Sequence, residues 1–226
     1  MLTTNHTLKF FFALLFLGLF SSACQKENGL EPTVVQDGNV NNDDTSAPAD
    51  YNVLFVGNSL TYYNSLPLLV EVEAEQRGIN VSTDELAFAN FALIDHWEAG
   101  TLQNLIESNN YDFVVVQQGP SSQAYGRMIL IEYGGLIKDL CDEHNTQLAF
   151  YMVWPSVSYY HTFPGVIQNY TDAATFNNAI LCPVVSLWKD YQDATGDFSF
   201  YGPDNFHPTQ AGSQFAAEII VDTLFD

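Results

Sequence analysis

The apolar and polar positions begin with an unbroken apolar run from Phe10 to Phe20, which follows Lys9 and gives way to Ser21-Ser22-Ala23-Cys24. Spanning a bilayer takes about 20 residues, so this shorter run reads as a secretion signal rather than a membrane helix. From Gln25 to Ala49 large apolar side chains almost vanish, and a segment that cannot bury enough surface to offset its ordering entropy reads as a tether. Beyond Asp50 two periods alternate. Asn52–Val56 is apolar and β-branched and stops at Gly57, predicting a strand, while Ser65–Gly78 puts Leu66, Leu69, Val70 and Val72 on one helical face. A strand is expected over Asn80–Ala89 and a helix over Asp95–Ser108. Tyr111–Val116 is apolar on both faces, as strands in the middle of a parallel sheet are.

The pattern continues with a helix over Met128–Glu143, a strand over Gln147–Val153, a shorter helix after Thr171 and a strand near Ile180–Val185. A closing helix takes Pro208 as its first residue, where a missing N–H costs nothing. Ala211, Phe215, Ala216, Ile219 and Ile220 form its core-facing stripe. Strands alternating with helices predict an α/β protein, a three-layer α/β/α sandwich around a parallel sheet. Three segments follow: a signal peptide over residues 1–23, a tether over 24–49 and one folded domain over 50–226. In an open parallel sheet ligands bind beyond the carboxyl ends of the strands. Those ends fall after Val56, Ala89, Val116 and Val153.

Charge narrows the range of partners. Residues 50–226 carry 22 Asp and Glu against four Lys and Arg, a formal charge of −18. No basic cluster is present to neutralise phosphates, so nucleic acid and anionic membrane surfaces are poor partners, and neither is expected. Of the three cysteines, Cys141 and Cys182 sit in apolar stretches as either buried thiols or one disulfide. No Cys/His spacing suits zinc, and no metal is expected.

Candidate chemistry lies at the two ends of the domain. Gly57-Asn58-Ser59-Leu60-Thr61 follows the first strand directly and places the Ser59 hydroxyl at its carboxyl end. Asp204-Asn205-Phe206-His207-Pro208 precedes the last helix. A serine hydroxyl is a weak nucleophile until a base takes its proton. His207 is such a base when its tautomer is held, and a carboxylate three residues earlier can reach back to hold it.

Gly57-Asn58-Ser59-Leu60 resembles the first conserved block of the SGNH/GDSL hydrolase superfamily, and Asp204-x-x-His207-Pro208 resembles its last. The resemblance covers residues 51–226 and implies a flavodoxin-like fold, a Ser59-His207-Asp204 triad and ester hydrolysis without metal or other cofactor. Its middle blocks are altered. In Ala89–Trp97, Asn90 occupies the place of a glycine whose N–H joins that of Ser59 in the oxyanion hole. In Val114–Gln123, Ser121 stands at the position of the usual asparagine donor, and Gln117 or, by preference, Gln118 is an alternative. His96 follows the second block and is a candidate substrate contact. So is Trp154, within an aromatic stretch (Tyr151, Trp154, Tyr159, Tyr160, Phe163) that suits either a sugar-binding wall or core packing.

Ser21-Ser22-Ala23-Cys24 resembles a bacterial lipobox, which implies acylation of Cys24 and attachment to the outer membrane of the cell envelope. Gln25-Lys26-Glu27 resembles the short charged signals of surface-displayed lipoproteins. Membrane contact is then expected only through the lipid. The expected substrate is a neutral acyl ester, small or part of a glycan, with an acetylated carbohydrate foremost. The alternative is a noncatalytic carbohydrate-binding lipoprotein on the same fold.

Overall fold

A computed structural model describes residues 48–225. The expected signal peptide, the Cys24 lipidation site and the tether as far as residue 47 lie outside the described residues. Five parallel strands form one sheet in the order β2-β1-β3-β4-β5. They are β1 (Tyr51–Gly57), β2 (Val81–Ala87), β3 (Phe113–Val116), β4 (Gln147–Tyr151) and β5 (Ile180–Cys182). Helices cover both faces. α2 (Leu66–Gln76) packs on α8 (Gln210–Phe225), while α5 (Ala124–Glu143) packs on α3 (Leu93–Ala99) and α6 (Phe163–Phe176). The remaining helices are α1 (Ser59–Tyr62), α4 (Thr101–Ser108) and α7 (Val184–Thr195). No described helix is long and apolar enough to cross a membrane.

The sheet order follows from side-chain character. β1 and β3 are buried on both faces through Val53–Val56 and Phe113–Val116, so they occupy the middle. β2 exposes Ser82, Asp84 and Glu85, a charged edge of the kind that discourages pairing with another chain. The chain leaves β1 towards β2 on one side and returns to β3 on the other, so the topological switch point lies beyond the carboxyl ends of β1 and β3.

Several boundaries differ from the sequence expectation. The helix expected over Asp95–Ser108 is two helices, because Gly100 adopts a left-handed φ of 76° between them. The strand expected over Ile180–Val185 stops at Cys182. Val184, Val185, Trp188 and Gln192 then form the buried stripe of α7, a helix that the apolar run Ile180–Val185 conceals. α6 begins at Phe163, with Pro164 in its first turn, rather than after Thr171. The last helix starts at Gln210: Pro208 lies outside it in a bridge to Tyr201, and the Thr209 hydroxyl accepts the Gly212 N–H at 3.3 Å. Cys141 and Cys182 are buried free thiols, and burial pushes both up to about 12, well above a reactive range.

Candidate active site

The turn after β1 is built by close packing. A Cβ on Gly57 would lie 2.2 Å from Thr61 Oγ1 and 2.6 Å from Gln117 Oε1, so only glycine fits there. Gln117 Oε1 accepts hydrogen bonds from the Asn58 N–H and the Thr61 hydroxyl, both at 3.0 Å. Asn58 caps α1 by accepting the Leu60 N–H at 3.1 Å. Ser59 is the first residue of that short helix, and its hydroxyl meets a histidine of the loop before α8.

The second part of the site is the loop before α8. The Asp204 Oδ1 atom accepts the backbone N–H groups of Phe206 (3.1 Å) and His207 (3.0 Å), folding the loop back on itself. Gly202 donates to the His207 carbonyl at 2.7 Å, and Asn205 takes a left-handed φ of 59°. Asp204 Oδ2 lies 2.5 Å from His207 Nδ1, and His207 Nε2 lies 2.9 Å from Ser59 Oγ. Hydrogen bonds from the imidazole and the two backbone amides hold the Asp204 carboxyl below the usual carboxylate range. A charged Asp204 keeps the proton on Nδ1 and leaves Nε2 as an acceptor for the serine hydroxyl.

These side chains open onto a cleft of 1130 Å³ at the switch point, lined by the segments that follow β1, β2, β3 and β4. Asn90, Gln118 and Ser121 all border it. Asn90 adopts a φ of 65°, a conformation that glycine provides without strain and asparagine tolerates best among the other residues. The Gln118 side chain is buried. Its Nε2 donates to the Gly126 carbonyl at 3.2 Å and its Oε1 accepts the Leu93 N–H at 3.4 Å. Ser121 is wedged against Gly126, where a Cβ would lie 2.4 Å from the Ser121 side chain. The lining contains the carboxylates of Asp95 and Asp204 but, among the described residues, no lysine or arginine.

The architecture has close counterparts among solved structures. A protein of Slackia heliotrinireducens assigned to the SGNH hydrolases superposes with a TM-score of 0.65 at 22% identity, over 77% of this chain and 98% of its own. An acetyl xylan esterase variant from Geobacillus stearothermophilus gives 0.60 at 13% identity, over 78% and 95%. A lipase/acylhydrolase from Enterococcus faecalis gives 0.59 at 16% identity, over 76% and 94%. The fold is that of the SGNH hydrolases. No protein-family model and no curated protein matches the sequence.

On this SGNH fold, two residues expected to contact substrate are packed away from the cleft. His96 is buried, with Nε2 2.8 Å from the Gly57 carbonyl and its ring in a three-ring cluster with Phe88 and Phe91. It braces the turn that carries Ser59 through the Gly57 carbonyl, and burial holds it below the ordinary histidine range. Trp154 is fully buried, stacks on Trp188 with centroids 3.8 Å apart and donates its indole N–H to the Phe206 carbonyl at 3.0 Å. Tyr151 and Phe163 are also fully buried, and Tyr160 donates to Asp193, so Tyr159 alone of the aromatic stretch borders the cleft. Gln117 faces the Ser59 turn instead of the cleft.

Sequence reasoning also passed over Tyr125, which is 66% exposed on the rim, and Tyr63, which stacks on His207. The adjacent aromatics Tyr62-Tyr63 directly after Gly-Asn-Ser-Leu-Thr were the available signal for Tyr63.

Proposed function

We propose that the protein is a serine ester hydrolase acting on neutral acyl esters, with acetylated carbohydrate as the substrate class. The observation that carries this reading is the continuous hydrogen-bonded series Ser59–His207–Asp204 at the mouth of the switch-point cleft. In this mechanism Ser59 Oγ attacks the ester carbonyl carbon while His207 Nε2 takes the hydroxyl proton and Asp204 stabilises the resulting imidazolium. The proton then passes to the departing alkoxide, leaving an acyl-serine. Water, deprotonated by His207, releases the acid and restores Ser59.

The oxyanion is received by the N–H groups of Ser59 and Asn90, each of which meets no backbone or side-chain acceptor among the described residues. Gln118 supplies the third donor. One Nε2 hydrogen is engaged by Gly126, the second is free, and the buried, doubly anchored amide needs no reorganisation. Such a donor is worth about 3 kcal/mol in the transition state. Ser121 stands as the alternative donor on the same wall.

The absence of cations from the lining supports a neutral substrate. Exposed Tyr125 and Tyr159 offer flat apolar faces of the kind that pyranose rings stack on. Structural counterparts named acetyl xylan esterases support the acetylated-sugar assignment.

The test is intact mass after exposure to a fluorophosphonate, together with release of p-nitrophenol from its acetate ester, for wild type and Ser59→Ala. Wild type is expected to gain one adduct and to turn over, and Ser59→Ala to lose both. A folded wild type that neither labels nor cleaves overturns the reading and favours a noncatalytic glycan-binding protein.

A further inference from the structure

The segment that joins α1 to α2 is more strained than a simple connection requires. Asn64 (φ 54°, ψ 20°) and Ser65 (φ 55°, ψ 53°) are consecutive left-handed residues, neither of them glycine. Such a conformation is unfavourable for a residue with a side chain and persists only where the surroundings enforce it. Two contacts show what enforces it, and both lead to the loop that carries His207. The Asn64 side-chain amide donates to the Pro208 carbonyl at 3.1 Å and to the Ser213 hydroxyl at 2.9 Å. The Tyr63 ring lies on the His207 imidazole, with centroids 4.4 Å apart and planes inclined by 18°. Tyr63 remains 40% exposed, so core packing does not account for its position.

We infer that Tyr63 and Asn64 are positioning residues that clamp the base loop to the nucleophile turn, for the ester hydrolysis proposed above. Ser59 and His207 come from opposite ends of the domain, and the hydrogen bond between them must survive the moment when His207 becomes an imidazolium. Tyr63 is four residues after Ser59, at the end of α1, and covers one face of the imidazole. Phe206 meets the ring edgewise at 5.0 Å. Asp204 holds Nδ1, so rotation of the ring is blocked from three sides. An aromatic face also attracts the imidazolium once it forms. Asn64 fixes the chain one residue beyond His207, so the loop cannot drift from the turn. The strain sits in the segment whose side chains do the clamping, and relaxing it would withdraw both.

The experiment measures kcat and KM for p-nitrophenyl acetate, with NMR spectra of the His207 ring, in wild type, Tyr63→Phe, Tyr63→Leu and Asn64→Gly. Tyr63→Phe keeps the stack and is expected to retain wild-type kcat. Tyr63→Leu is expected to lower kcat by about 3- to 10-fold, the worth of one aromatic pair, with KM unchanged. Its His207 ring protons should move downfield as the ring current is lost. Asn64→Gly relieves the backbone strain yet should still lower kcat, because the amide contacts go with it. Wild-type kcat in Tyr63→Leu, or a raised KM with kcat intact, overturns the inference. Should the wild type cleave no ester, the functional reading fails on its own. The spectra then decide the clamp: a downfield shift in Tyr63→Leu keeps it and unchanged spectra dismiss it.

Discussion

The Asn58 side-chain amide donates to the Phe91 carbonyl at 3.1 Å, joining the Ser59 turn to the loop that carries Asn90. Through this bond, the two loops that carry Ser59 and Asn90, the proposed oxyanion donors, are tied together at the cleft. An aspartate at position 58 would cap α1 equally well but would turn a carboxylate towards that carbonyl in a buried position. Asn58→Asp is therefore expected to lower kcat by about 10-fold, the equivalent of one lost hydrogen bond, while p-nitrophenyl acetate KM stays within about twofold. Steady-state kinetics check it, and an unchanged kcat would mean that the Phe91 contact does not set the oxyanion wall.

His96 makes stability depend on pH with a definite sign. Its folded pKa lies below the ordinary value of about 6.5 because burial disfavours the imidazolium, although the Gly57 carbonyl and neighbouring Asp95 oppose the shift. As pH falls through about 6.5 the unfolded chain takes up a proton that the folded chain refuses, so stability declines until the folded value is reached. Glu85 and Glu218, raised by burial, act with the opposite sign and are common to any variant at position 96. Urea midpoints at pH 7 and pH 5.5 should fall in wild type and fall less in His96→Gln. Equal slopes in the two proteins would remove His96 from the account.

Replacement of Trp154 separates packing from substrate contact. Trp154→Phe removes the donor to the Phe206 carbonyl and thins the stack on Trp188. Leaving that carbonyl unpaired costs about 1–3 kcal/mol, equivalent to a Tm lower by several degrees in a domain of this size. KM for acetylated oligosaccharides should not move. A raised KM at unchanged Tm would restore Trp154 to the substrate wall.

What the sequence disclosed depended on how local the determining force was. Ser59, His207 and Asp204 were legible because each owes its place to a short motif: a glycine-bearing turn after an apolar strand, and an Asp-x-x-His loop that folds on itself. The sheet was legible from runs such as Phe113–Val116, which are apolar on both faces. α7 was not, because Ile180–Val185 is a short apolar run and its helical period emerges only with Trp188 and Gln192. Trp154 was ambiguous for a related reason. An aromatic after a strand serves core and cleft alike, and the choice rests on Trp188, 34 positions away. Asn90 looked like a departure from a glycine position, yet it keeps the left-handed backbone such a position calls for. Gln117 and Gln118 are adjacent and identical, and only the third dimension turns one to the nucleophile and the other to the cleft.

The two carboxylates of the cleft lining, and its lack of lysine and arginine among the described residues, also bear on how the proposed reaction ends. Ester hydrolysis converts a neutral acyl group into an anion at the spot where it was cleaved. Asp204 lies behind the His207 ring, Asp95 lies on the wall, and residues 50–226 carry a formal charge of −18. On the proposed reaction, the freed acid leaves through a cleft whose carboxylates repel an anion and left its neutral parent ester unaffected, which favours departure. On the proposed activity, acetate should accordingly inhibit only at concentrations far above the KM of the ester, so that the product does little to slow its own formation.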